Sequence, residues 1–194
     1  MGYRVLMHAE VERYFEEVAL CSLRSGQNLY KNRGTIQASA AAAISHYQSH
    51  LFLKKESKLR TTRLLDGATI ATLMPDILDE TCDWFERSIV ANNNGIKPEN
   101  LVRLVGYLGI DQGDIDPTLF DALKTFGNER GDAAHLSRRE IRRRYQGKSR
   151  NAPRIRRLPS PSDEVIAVDA VLALLPSLDR LVHAVSRTII WPLN

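Results

Sequence analysis

Apolar residues recur at helical spacing along nearly the whole of this 194-residue chain. In residues 5–29 they come every three or four positions, and acidic residues fill many of the positions between them, as on a helix that buries one face. We find no internal repeat and no convincing pair of strands. The spacing therefore predicts an all-α protein. The apolar positions of this first helix are Val5, Leu6, Ala9, Val11, Tyr14, Phe15, Val18, Ala19 and Leu23.

Capping and turn residues predict the boundaries of the next two helices. Thr35 is expected to cap a second helix, which runs through an alanine-rich block to about Lys58. Residues 60–74 are expected to form a loop or a short helix. Pro75 suits the first position of a third helix, and the Asn-Asn-Asn-Gly sequence at 92–95 is expected to end it.

The same signals predict the helices that follow. Pro98 is expected to start a short helix, which Gly109 closes. Asp116 is expected to cap the next helix, with Pro117 at its first position. Ser162, followed by two acidic residues, is expected to open one long C-terminal helix whose apolar face packs back on the bundle.

The composition, with 43% hydrophobic and 26% charged residues, is typical of a soluble globular protein. A chain of this length can bury one substantial core, so we expect a single domain over residues 1–194. No apolar run reaches membrane-spanning length, so we expect no contact with a membrane. Cys21 and Cys82 have no motif spacing and are expected to be reduced, packed thiols of a cytoplasmic protein.

Positive charge is concentrated in one segment. Residues 137–158 carry ten basic residues and one acid, a formal charge of +9, while the rest of the chain carries −5. Localised charge of this kind predicts a polyanionic partner, although an acidic antitoxin or another partner protein would also fit. Residues 137–160 are expected to join two helices, as helix to about Tyr145 and as loop beyond it. The side chains expected to contact nucleic acid are Arg138, Arg139, Arg142, Arg143, Arg144, Lys148 and Arg150.

One arginine lies where a core residue would be expected. At about 100° per residue, Arg130 falls near the centre of an apolar stripe, and His135 lies about 140° around the helix from it. A guanidinium on an apolar face must be paired or must face a cleft that receives an anion. The stripe consists of Leu119, Leu123, Phe126, Ala133 and Ala134.

These polar residues also have ordinary structural interpretations. Arg130 could pair with a glutamate of the first helix, such as Glu10 or Glu16. His135 could interact with the carbonyls at the end of its helix. Asp132 could be a solvated surface residue or a catalytic one.

Two further sets of residues favour structural roles. His46 and His50 are four positions apart, a spacing that can chelate a metal, but no third ligand is in register. We therefore expect a surface pair, no metal site and no cofactor. Phe85 and Ile89, with Trp84 nearby, favour a core or dimer interface over a platform for stacking bases.

Residues 94–135 resemble the HEPN family of small all-helical nucleases, and most closely its bacterial RiboL-PSP and conflict-system branch. One part of the resemblance is Asn-Gly-Ile-Lys-Pro-Glu-Asn-Leu-Val-Arg-Leu-Val-Gly-Tyr-Leu-Gly-Ile at 94–110, which looks like that branch's short helix and Leu-Gly-Ile turn. The other is Arg130-x4-His135, which matches the family's Arg-x4-6-His signature. The family commonly has a polar residue directly after the arginine, where this chain has Gly131 and then Asp132.

The resemblance implies an antiparallel HEPN-type bundle with an additional C-terminal helix. It also implies a metal-independent endoribonuclease of a bacterial toxin–antitoxin or defence system, in which the Arg130 and His135 of two protomers line a shared cleft. The chemistry suits these residues, since an imidazole can act as acid or base near neutral pH and a guanidinium stabilises charge on phosphate. RNA supplies its own nucleophile, the 2′-hydroxyl, so the expected products end in a 2′,3′-cyclic phosphate and a 5′-hydroxyl.

Two alternatives without catalysis stay open. Gly131 would fit a HEPN-like module that binds RNA or a partner but has lost its chemistry. The second alternative is a dimerising scaffold whose basic segment contacts a partner protein. Salt-dependent RNA binding without cleavage would favour the first of these, and no RNA affinity would favour the second.

Overall fold

The protein is all-α, as the spacing of its apolar residues predicts, in a computed structural model that describes residues 2–54, 67–135 and 160–192. Side chains are described across these ranges except at residues 2, 4, 67–70, 128–135, 161 and 191–192. The helices are α1 (Gly2–Arg33), α2 (Ala38–Leu53), α3 (Gly67–Trp84), α4 (Pro98–Gly106), α5 (Pro117–His135), α6 (Pro161–Leu172) and α7 (Leu175–Arg187). Two short strands, β1 (Thr35–Gln37) and β2 (Ile189–Pro192), accompany them.

Helix α1 is the centre of the bundle. It contains the whole predicted first helix and packs against all the other helices that the structure describes. Its inward face buries residues three or four positions apart, so one side of the helix forms a continuous stripe in the core. The apolar members of that stripe are Val11, Phe15, Ala19, Leu23 and Tyr30.

The structure before α2 corrects two predictions: that Thr35 caps this helix, and that the chain has no pair of strands. Thr35 does not cap a helix but lies in β1, which pairs antiparallel with β2 in the register Thr35↔Pro192, Ile36↔Trp191 and Gln37↔Ile189. The helix begins only at Ala38, after Gln37 in an extended conformation. Strands of three and four residues are too short to show apolar alternation, and all of β1 is buried, so the sequence carries no strand signal here.

Pro75 is also placed differently from the prediction. It lies inside α3, which begins at Gly67, and not at a helix start. Proline has no N–H to donate to the carbonyl four residues earlier, that of Ala71. The buried Tyr30 of α1 donates its hydroxyl to that carbonyl oxygen instead, at 3.3 Å. A contact between helices thus replaces a hydrogen bond that α3 cannot make.

The predicted boundaries on either side of α4 are confirmed. The helix containing Phe85 ends in a π-helical turn, Phe85–Val90, and the polar sequence that follows it turns at Gly95, whose φ is 104°. Pro98 is the first residue of α4, and Gly109 follows that helix with a φ of 81°. Both glycines have backbone conformations that other residues rarely adopt.

The prediction of one long C-terminal helix is wrong. Ser160, and not Ser162, is the N-cap, and it forms reciprocal hydrogen bonds with Asp163. The chain then turns at Ala173 and Leu174 between α6 and α7. Pro176 explains the break, because it has no N–H with which to continue the helix from α6.

Helix α5 begins as predicted. Pro117 is its first residue, and a carboxylate oxygen of Asp116 accepts the Thr118 backbone N–H at 2.9 Å and the Thr118 hydroxyl at 2.7 Å. Leu119, Leu123 and Phe126 are buried, so the first part of the predicted apolar stripe is confirmed. No helix in the described ranges is long and apolar enough to cross a membrane.

Candidate functional site

The backbone of the Arg130-x4-His135 motif lies on α5. The helix runs to His135, so it continues past Gly131 without a break. Arg130 comes four residues after the buried Phe126, about 6 Å further along the helix axis. The side chains of Arg130, Asp132 and His135 lie outside the described part of the chain, and their catalytic roles stay predictions.

The basic segment that follows α5 lies outside the described residues as well. This includes every side chain expected to contact nucleic acid. These are Arg138, Arg139, Arg142, Arg143, Arg144, Lys148 and Arg150.

A buried histidine lies where α1 meets α5. His8 is only 3% exposed, and it continues the inward stripe of α1 one turn before Val11. Its ring is stacked on that of Phe126, with 6.0 Å between the ring centroids and 28° between the ring planes. The imidazole therefore packs on the residue of α5 that precedes Arg130 by about one helical turn.

Glu12 links this histidine to a third part of the fold. One carboxylate oxygen, Oε2, lies 3.8 Å from Nδ1 of His8, and the other, Oε1, accepts a hydrogen bond from the backbone N–H of Gly95. The Glu12 side chain is 20% exposed and that of His8 is 4% exposed. The structure thus places an imidazole nitrogen near a largely buried carboxylate, at a separation longer than a hydrogen bond.

The acids of α1 that could pair with Arg130 have defined surroundings. Glu16 accepts a hydrogen bond from the side-chain amide of Asn93, at 2.9 Å. Glu10 is exposed. Pairing of either glutamate with Arg130 involves a side chain outside the described part of the molecule, so this alternative stays open.

The pairing of His8 with Glu12 beside α5 was not predicted from the sequence. A signal was present, because His8 is in register with Val11, Phe15 and Ala19 on the buried stripe of α1. A histidine on such a stripe is buried and needs a polar partner, and Glu12, one turn later, has the right spacing to be that partner.

The second candidate region is a cluster of aromatic and histidine rings between α2, α3 and the end of α4. Ring centroids are 5.4 Å apart for Trp84 and Tyr107, 5.6 Å for Trp84 and His50, and 5.0 Å for His46 and Tyr107. His46 is exposed and His50 is half-buried, so the predicted surface pair packs in part on aromatic rings. Within the described ranges, no three His, Cys, Asp or Glu side chains could hold a metal ion together.

The predictions for the apolar residues next to this cluster, and for the two cysteines, are confirmed in part. Phe85 and Ile89 are buried in the core, whereas Trp84 is half-buried. Cys82 is buried as expected, and burial raises the pKa of its thiol to about 11. Cys21 is exposed, so the prediction of a packed thiol is wrong there: it lies on the outward face of α1, opposite the buried stripe.

A groove of about 220 Å³ lies at the other end of α5. Asp114, Ile115 and Asp116 line it from one side, and Ser177 and Leu178 of α7 from the other. Helix geometry puts the first residue of α5 about 27 Å from the last, so this groove is separate from the motif.

Comparisons of the chain with protein-family models, with curated proteins and with solved structures gave no match.

Proposed function

We propose that this protein is a metal-independent endoribonuclease of the HEPN type, with Arg130 and His135 as its catalytic residues. One observation carries the proposal. The motif lies on a single unbroken helix, directly after a turn of α5 that packs on the buried His8 of α1. The candidate residues are thus attached to the centre of the bundle and not to a free loop, as a site with fixed geometry requires.

The reaction divides between the two residues by their chemistry. The guanidinium of Arg130 keeps its charge and binds phosphate oxygens, so it stabilises the negative charge that develops as the 2′-hydroxyl attacks. The imidazole of His135 transfers a proton, either from that hydroxyl or to the departing 5′-oxygen. The attack forms the 2′,3′-cyclic phosphate and breaks the bond to the 5′-oxygen, which leaves as a hydroxyl.

Charge supports RNA as the substrate. Residues 137–158 carry +9, begin two residues after His135 and would neutralise several phosphates along a bound strand. We propose that two protomers form a homodimer whose shared cleft holds both motifs, and that the nuclease acts as a toxin or defence protein in a bacterial cell. Growth arrest on expression, relieved by the product of an adjacent gene, would support that role.

The test is cleavage of total RNA in the presence of EDTA. Wild-type protein should cut, and His135→Ala and Arg130→Ala should each lose about 100-fold or more in rate. His183→Ala and Arg180→Ala are matched controls, because both side chains are exposed on α7, and they should cut like wild type. Full activity of His135→Ala in a folded protein would reject the mechanism.

A second function rests on one observation, the glycine directly after Arg130. Gly131 has no side chain with which to orient a substrate or the arginine. In this alternative the protein binds RNA or a partner without cutting. Wild-type protein that binds RNA with strong salt dependence, and that releases no products, would select it.

A further inference from the structure

The His8–Glu12 pair has no part in the proposed reaction, although the buried His8 packs on the helix that carries the motif. His8 packs on Phe126 of α5, and Glu12 holds the backbone of Gly95 in the turn before α4. Three segments that are distant in sequence therefore meet at this pair. Its position relative to α5 suggests a role in the site.

Helix geometry relates the pair to the motif through Phe126. Arg130 follows Phe126 by one turn, about 6 Å, on the same side of α5. A shift in the ring on which Phe126 packs would move this turn of the helix. Displacements of about 1 Å in a catalytic group can reduce a rate by about 100-fold.

Resting on the function proposed above, we propose that His8, whose Nδ1 lies 3.8 Å from the Glu12 carboxylate, is a positioning residue of the ribonuclease site. It fixes the turn of α5 that contains Arg130, and its charge alters the electrostatic field at that turn. The field differs between the two forms of the imidazole, because only the protonated form carries a positive charge.

The elements packed against His8 carry other ionisable groups, and the structure describes some of their side chains. On α1 itself, Glu12 lies 3.8 Å from His8. On α6, which packs against both α1 and α5, Glu164 is buried. The turn before α4 contributes the backbone amide of Gly95 through Glu12, and Asn93 through Glu16. Among the described side chains of α5, the contact is the uncharged ring of Phe126.

A purely structural role for His8 makes a different prediction. In that case the imidazole would serve only to pack against Phe126, and another aromatic ring at position 8 would pack there equally well. His8→Phe retains a ring that can stack but cannot ionise. Glu12→Gln retains an oxygen that can accept the Gly95 N–H but carries no charge. These two variants therefore separate packing from charge.

The experiment measures kcat, KM and the pH profile of RNA cleavage in EDTA for wild type, His8→Phe and Glu12→Gln, with His183→Gln as the exposed control. We expect both α1 variants to fold, to lose about 10- to 100-fold in kcat with little change in KM, and to show an altered pH profile. The control should behave as wild type does. Should His8→Phe fail to fold, Glu12→Gln still tests whether a change of charge at the pair alters kcat and the pH profile.

The outcomes are distinguishable. If wild type cleaves RNA and both variants, folded by circular dichroism, retain its kcat and pH profile, the positioning role is rejected and the nuclease stands. If wild type does not cleave RNA, the proposed function fails and the inference fails with it. A loss of kcat in His8→Phe with an unchanged pH profile would show that the charge of the imidazole has no part in the effect and would also overturn the inference.

Discussion

The two cysteines show how far the surroundings of a residue determine its chemistry. Cys82 lies on the buried face of α3 and Cys21 on the outward face of α1. Removal from water disfavours the thiolate, so burial raises the pKa of Cys82 to about 11. The carboxylate of Asp79, one turn earlier on α3, raises the pKa of this thiol further.

The two thiols should therefore differ in reactivity. At pH 8 only about one part in a thousand of Cys82 would be thiolate, and the side chain is shielded from reagents. We expect one thiol per native chain to react rapidly with a disulfide reagent, and the second only after unfolding. Mass spectrometry of the labelled protein identifies the site.

Cys21→Ser provides the control, because it should abolish the rapid phase while leaving the slow one. Two rapid thiols in the native protein would contradict the burial of Cys82.

At the scale of the elements, helix positions follow from apolar spacing far better than helix ends do. α1, α4 and the start of α5 agree with the sequence because their periodicity and caps act locally. The predicted helix starts at Pro75 and Thr35 were wrong because contacts with residues distant in sequence determine the surroundings of both. Tyr30 supplies the hydroxyl that lets α3 continue through a proline, and β2 supplies the strand with which Thr35 pairs.

The compensation at Pro75 can be measured by a double-mutant cycle. Tyr30→Phe should lower the free energy of unfolding by about 1 kcal/mol, because the Ala71 carbonyl loses its donor. In a Pro75→Ala background the helix supplies its own N–H to that carbonyl. The same substitution should then cost clearly less. Equal losses in the two backgrounds, measured by urea unfolding, would show that Tyr30 does not compensate for the proline.

The crossing of α1 and α2 depends on a glycine. A Cβ at position 26 would lie 2.8 Å from the Cβ of Ala40 and 3.1 Å from Oε1 of Gln37. Gly26→Ala should therefore lower the free energy of unfolding by roughly 1 kcal/mol, since crowding outweighs the gain in helix propensity. For a chain of this size that is about 2–4 °C in Tm.

Gly127 of α5 is the matched control. A Cβ there has no described neighbour within 4 Å, so Gly127→Ala should raise stability by up to about 1 kcal/mol. The account of the α1–α2 crossing would be wrong if both substitutions stabilised the protein equally.

At the scale of the whole molecule, the bundle is organised around α1, and its charge is divided unequally along the chain. The basic segment carries +9 and the rest of the chain −5. The sequence alone suggested Arg130 and His135 as site residues, because the Arg-x4-His motif and the unusual position of the arginine on an apolar stripe can both be read from it. The contacts of His8 and Glu12 with α5 and the Gly95 turn were not predicted, since they join segments that are distant in sequence.

The proposed mechanism is tested by the chemistry of the ends that wild-type protein leaves on a short oligoribonucleotide in EDTA. Attack by the 2′-hydroxyl should leave a 2′,3′-cyclic phosphate on one product and a 5′-hydroxyl on the other, with no cut where the ribose at the cleavage site is replaced by 2′-deoxyribose. Products with 5′-phosphate ends, or continued cleavage at the deoxy position, would contradict it.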